Sequence, residues 1–193
     1  MTRKATITRR CFIAIEVPEA VKKSLSRAQA RLKQTDLRAS YVRSANIHLT
    51  LAFLGDVLMS RIHDAAGALE TAVLGHRPFD VEASQLGYFG KRGSPRAIWS
   101  HIGGNEDALR ALQANLKEKL IESGFPMEQR RFTPHLTIAR IRIPKRNLQL
   151  VDHLENDTHQ KFGLIEVREL LLLESTLLPE GPEYHILHAA TLR

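Results

Sequence analysis

Apolar positions along this chain follow two rhythms, short continuous runs and stretches spaced three and four residues apart. Residues 11 to 17, from Cys11 to Val17, form an apolar run that reads as a buried strand. Pro18 and Glu19 then open an amphipathic helix carrying Val21, Leu25, Ala28 and Leu32 on one face. Residues 47 to 54 read as a strand closed by Gly55-Asp56, and residues 59 to 74 as a helix broken by His76-Arg77-Pro78. One strand is expected within Phe79 to Phe89 and another at Ala97 to Ile102. Gly103-Gly104-Asn105 leads into a helix near residues 106 to 123, ended by Gly124. The second half repeats the rhythm: a strand at 135 to 141, a helix near Leu148 to His159, and a long strand-like stretch over 163 to 177. A turn at Pro179 to Pro182 precedes a last strand at Tyr184 to Ala190. This order predicts an α+β fold with antiparallel sheets rather than a doubly wound parallel one.

Composition narrows the picture. The 193 residues suffice for a single domain with its own core, and 43% of them are apolar. No linker or low-complexity stretch divides residues 1–193, and residues 1–9 read as a flexible basic tail. The single cysteine, Cys11, forbids an intrachain disulfide and reads as a small buried hydrophobe. A net charge of +7 favours polyanionic partners, nucleic acid first. No apolar stretch approaches the roughly 20 residues of a membrane helix, and the N-terminus lacks a signal peptide's apolar core. The expectation is a soluble cytoplasmic protein with no membrane partner.

One internal echo stands out: His48-Leu49-Thr50-Leu51-Ala52 and His135-Leu136-Thr137-Ile138-Ala139. With nine histidines present, composition alone would supply roughly 0.5 His-x-Thr triplets. The shared leucine and the apolar-alanine pair after each threonine make the match more specific. On a strand, residues i and i+2 share a face about 6.5 to 7 Å apart. Each motif therefore presents an imidazole and a hydroxyl together, backed by apolar residues. Two such strands facing one cleft supply what in-line opening of a cyclic phosphodiester requires. A neutral imidazole takes a proton from the attacking water, and an imidazolium protonates the departing oxygen. The hydroxyls hold the non-bridging oxygens. A lone histidine on a strand is more often structural, so the reading depends on both strands meeting. The residues alone do not say which histidine is acid and which base.

Other signals count for less. Gly87, Gly90 and Gly93 near Lys91-Arg92 do not match a P-loop and read as a flexible basic loop. His185 and His188 face opposite ways on a strand, and no His-Glu-x-x-His or cysteine cluster exists, so neither a metal nor another cofactor is expected. Phe12, Phe53 and Phe132 suit base stacking or core packing. Arg130 and Arg131 are alternative phosphate clamps. Arg140 lies an odd number of residues after His135, so regular alternation turns it away from the histidine's face unless a bulge intervenes.

The paired motifs, with Phe53-Leu54-Gly55 after the first and Pro134 and Arg140 around the second, resemble the 2H phosphoesterases. Phe12, the Gly87 to Gly90 segment and Trp99 after Pro95-Arg96 extend the likeness. The resemblance is closest to the bacterial and archaeal RNA 2′,3′-cyclic phosphodiesterases once described as 2′-5′ RNA ligases. It implies a bilobal fold, two antiparallel sheets with flanking helices related by a pseudo-twofold axis around a central cleft. It also implies hydrolysis of terminal 2′,3′-cyclic phosphates to 2′-phosphates without metal, and 2′-5′ RNA ligation as a side activity. Carried over, His48 is the proton donor and His135 the acceptor. Thr50, Thr137 and Arg140 bind phosphate, and Phe12 and Arg130 contact RNA. The expected partner is RNA with a cyclic phosphate end, tRNA fragments included, acted on by a monomer. The rival readings are a non-catalytic RNA-binding protein and a phosphodiesterase for small cyclic nucleotides or 2′-5′ oligonucleotides.

Overall fold

The computed structural model describes residues 7–35, 37–143, 147–156 and 159–193. Among the described residues nine strands form two antiparallel sheets backed by four α-helices. One sheet holds β1 (Thr8–Glu16), β3 (His48–Leu58), β8 (Glu169–Leu178) and β9 (Gly181–Thr191) in the order β3-β1-β8-β9. The other adds β2 (Ala39–Tyr41) outside β6 (His135–Ile141), followed by β5 (Ser94–Gly104), β4 (Phe79–Lys91) and β7 (Lys161–Val167). Setting β2 aside, the orders β3-β1-β8-β9 and β6-β5-β4-β7 correspond strand for strand. This is the pseudo-twofold repeat, and each motif strand holds the same place in its sheet.

The helices bind the two halves together. Helix α1 (Glu19–Lys33) follows β1 of the first sheet yet packs against β6 and β7 of the second. Its counterpart α3 (Glu106–Glu122) follows β5 of the second sheet and packs chiefly on α2 (Ile62–Ala72), touching β3 of the first sheet as well as β4 of its own. Helix α4 (Leu148–Asn156) lies on β4. Because α1 and α3 cross over, one continuous core joins the layers, including Leu25, Leu49, Leu112, Leu136 and Ile165. Asn105 caps α3, its side-chain oxygen accepting from the Ala108 amide at 3.3 Å. A second, small cluster of Phe12, Ala14, Leu171 and Leu173 with Tyr184 lies on the opposite face of β1 and β8. No helix among the described residues is long and apolar enough to cross a membrane.

Several expected boundaries move. Strand β3 does not stop at Gly55-Asp56 but runs to Leu58, because Gly55 adopts φ +68° beside a bulge and the ladder to β1 resumes. The apolar stretch from 163 to 177 is two strands in different sheets, with Arg168 between β7 and β8. Hydrophobicity alone does not mark that crossing. The glycine-rich segment is not a loop. Gly87 and Gly90 lie inside β4, and Arg92-Gly93 is the turn of the β4–β5 hairpin. A Cβ on Gly87 would stand 2.7 Å from the Trp99 ring, so glycine there makes room for the indole. Thr8 and Arg9, assigned to the tail, belong to β1, and Arg9 pairs with Glu174 of β8. Residues 1–6 of the proposed tail and residues 157–158 of the expected helix lie outside the described residues.

Candidate active site

Both motif strands carry the same backbone device. Along β3, Ala14 pairs with Thr50 and Ile13 with Ala52, which leaves Leu51 unpaired. Along β6, Trp99 pairs with Thr137 and Ile98 with Ala139, which leaves Ile138 unpaired. Each bulge sends two successive residues into the core: Leu51 and Ala52 in one lobe, Ile138 and Ala139 in the other. The residues after them, Phe53 and Arg140, therefore return to the face of the histidine. This is the bulge that Arg140 needed.

A glutamine holds each bulge from the helix behind it. Gln29 of α1, only 5% exposed, donates to the carbonyls of Ile138 and Val42, both at 2.8 Å. Gln113 of α3 donates to the carbonyl of Leu51 at 3.3 Å. A bulge leaves carbonyls without regular ladder partners, and buried ones must find others.

The two imidazoles are oriented alike. Nδ1 of His48 lies 2.8 Å from the Asn46 carbonyl, and Nδ1 of His135 lies 2.7 Å from the Thr133 carbonyl. A carbonyl only accepts, so Nδ1 carries the hydrogen and the neutral ring keeps its lone pair on Nε2. Aromatic walls confine each ring. Phe12 lies 4.8 Å and Tyr184 5.2 Å from His48, measured between centroids. Phe89 at 4.8 Å and Trp99 at 6.1 Å flank His135. Burial holds both imidazoles below their ordinary pKa, and positive charge on Arg140 depresses both further. His48 also feels charge from His135 and from the nearly buried Lys22. Strands β3 and β6 touch across the cleft, so the two motifs do meet.

Thr50 and Thr137 are half-buried on the same faces as the rings. Arg140 is exposed at the cleft, and among the described residues no carboxylate pairs with it. Phe12 is placed differently from a base-stacking residue. At 4% exposure its ring is committed to His48, Tyr184 and Phe53, whereas Phe53 is 63% exposed and presents a free face. Arg130 and Arg131 are exposed in the loop before β6. Phe132 packs on the core. Tyr184 was not anticipated. Burial raises its phenol pKa, and nearby Arg140 and Arg10 pull it back down. Only its presence in the last strand hinted at it. Among the described residues no three His, Cys, Asp or Glu side chains gather in a metal-ligating group.

Paired lobes, each offering a carbonyl-oriented imidazole and a neighbouring hydroxyl to one cleft, define a two-histidine protein of duplicated α+β architecture. Residues 12–176 match the 2′-5′ RNA ligase superfamily, and the chain belongs to that family. It is 36% identical to the RNA 2′,3′-cyclic phosphodiesterase of Thermotoga maritima, over 93% of each chain. It is 29% identical to the protein of that name from Methanothermobacter thermautotrophicus, over 91% of this chain and 94% of that one. Among solved structures it resembles TT0787 of Thermus thermophilus, with TM-score 0.78 and 27% identity over 95% and 98% of the two chains. Escherichia coli LigT in complex with 3′-AMP shares the fold, with TM-score 0.74 and 22% identity over 96% and 99% of the chains.

Proposed function

We propose that this protein is an RNA 2′,3′-cyclic phosphodiesterase that opens the terminal cyclic phosphate to a 2′-phosphate. The observation that carries the reading is the pair of His-x-Thr half-sites on touching strands, each imidazole with Nδ1 occupied and Nε2 available. Water attacks phosphorus and gives its proton to Nε2 of His135. The P–O3′ bond breaks, and His48, which enters the step as the imidazolium, protonates the leaving O3′ from Nε2. Solvent then returns each histidine to its starting state. Thr50 and Thr137 donate hydroxyl hydrogens to the non-bridging oxygens, and Arg140 balances their charge. No step needs a metal. With an RNA 5′-hydroxyl in place of water the same steps form a 2′-5′ bond, the side activity. The finer reading is a monomer acting on tRNA fragments among other RNAs.

The deciding assay offers an oligoribonucleotide ending in a 2′,3′-cyclic phosphate, in the presence of chelator, and identifies the product. The expected product is the 2′-phosphate. His48→Ala and His135→Ala should bind the RNA and fail to open it. Full turnover by either variant overturns the reading, and binding without turnover by the native chain would mark a carrier instead. A mononucleotide cyclic phosphate run in parallel separates RNA ends from small cyclic nucleotides.

A further inference from the structure

Both orienting carbonyls lie outside the sheet ladders. Asn46 closes a 3-10 turn (Ser44–Asn46), and Thr133 sits in the loop between α3 and β6. A loop carbonyl orients a ring only as well as the loop itself is held. Each loop has its own tether, and the two are built differently.

On the first side the tether is Asn46 itself. Its backbone amide donates to the Arg43 carbonyl at 2.8 Å, closing the turn. Its side-chain amide donates to the Pro182 carbonyl at 2.7 Å, reaching β9 across 136 residues of sequence. Two residues beyond Pro182, Tyr184 sets its ring edge-on to His48. Asn46 thus joins both determinants of the imidazole's position, the carbonyl at Nδ1 and the aromatic wall beside the ring.

On the second side the tether is Arg110 of α3. Its guanidinium donates to the Phe132 carbonyl at 2.8 Å, next to the Thr133 carbonyl that holds His135. Glu106 fixes that guanidinium at 2.8 Å and lies 3.3 Å from His101, the cross-strand neighbour of His135.

We propose that Asn46 and Arg110 are positioning residues, each fixing the tautomer and orientation of one histidine. Neither side chain touches the reacting atoms in this arrangement. Each acts through the carbonyl that keeps hydrogen on Nδ1 and directs Nε2 into the cleft. The effect on rate rests on the acid–base reading above, whereas the effect on tautomer does not.

The experiment uses the full chain with 15N-labelled histidine and follows both rings by NMR together with steady-state kinetics. Asn46→Ala should loosen the Nδ1–H preference of His48 and lower its pKa further, since the Asn46 hydrogen bond raises it. The His135 signals should stay unchanged. Arg110→Met should do the reverse. In each variant kcat should fall about ten- to a hundredfold, with KM within about twofold. Arg110→Lys, which keeps a donor, should recover part of the loss. Should Asn46→Ala melt early, Asn46→Asp keeps the volume without the donor and carries the same measurement. Native tautomers in both variants overturn the proposal, and so do equal changes at both rings. A tautomer change confined to the expected ring with undiminished kcat sustains the tether and overturns the acid–base reading.

Discussion

The His48 and His135 half-sites share a backbone and a His-x-Thr face and differ in what surrounds them. Each has a histidine bonded to a carbonyl two residues back, a threonine on the same face and a bulge at the next core residue. The side chain that emerges beyond the bulge is Phe53 in one and Arg140 in the other. The first ring lies in a part-buried setting between Phe12 and Tyr184, and the second hydrogen bond lies in a more exposed one. A duplicated scaffold therefore supplies geometry twice, and its unequal dressing supplies the asymmetry that an acid and a base need. Charge on His135 depresses His48, so the free cleft disfavours two imidazoliums at once. Substrate must then favour charge on His48 for it to act as donor.

The hardest blow to the pair is removal of an imidazole. His48→Ala and His135→Ala should each lower kcat by about 10²- to 10⁴-fold. A thousandfold gap between the two variants would show that only one half-site takes part in proton transfer. Beyond the bulges, Arg140→Ala should cost about 1.5–3 kcal/mol of transition-state stabilisation, the worth of a charge-assisted hydrogen bond. Phe53→Ala should leave the opening of a mononucleotide cyclic phosphate nearly unchanged. Equal kcat/KM losses in these variants would erase the distinction between the two positions.

Stability probes the bulges themselves. Gln29→Leu should destabilise by about 1–3 kcal/mol, because it removes a buried donor from the Val42 carbonyl and leaves the Ile138 carbonyl with the Val42 amide alone. Gln113→Leu should cost less, since its single bond is longer at 3.3 Å. Denaturant unfolding checks the order.

The smallest effect is that of pH. Both histidine pKa values lie below 6.5, so kcat/KM should peak on the acid side of that value. A bound phosphate anion favours both imidazoliums, which should move the kcat profile to higher pH. Below about 6.5 the unfolded chain binds more protons than the native one, so native stability should fall on acidification through this window. His48→Ala and His135→Ala should each flatten that slope, the former more, because its ring is the more enclosed.

Much of this contrast was legible in the primary structure. Alternation along a strand put His48 with Thr50 and His135 with Thr137, and the flanking Phe-Leu-Gly and Arg marked the family. The parts left open have a common cause. Phe12 looks like Phe53 as a residue, and only the neighbours in space decide that one is a wall and the other a free face. Tyr184 stands 136 residues from His48, brought beside it by the fold of the sheet and the Asn46–Pro182 hydrogen bond.

Side-chain alternation is a property of one strand, so the amino-acid sequence by itself determined the two half-sites and the chemistry each offers. A bulge is a mismatch between two strands. Whether Arg140 faces the cleft depends on the pairing of β6 with β5 and on Gln29, 109 residues from the carbonyl it holds. The tertiary structure alone decided that, together with the meeting of the two motifs and the unequal settings that divide their roles. Register, crossing helices and desolvation arise only when distant segments pack.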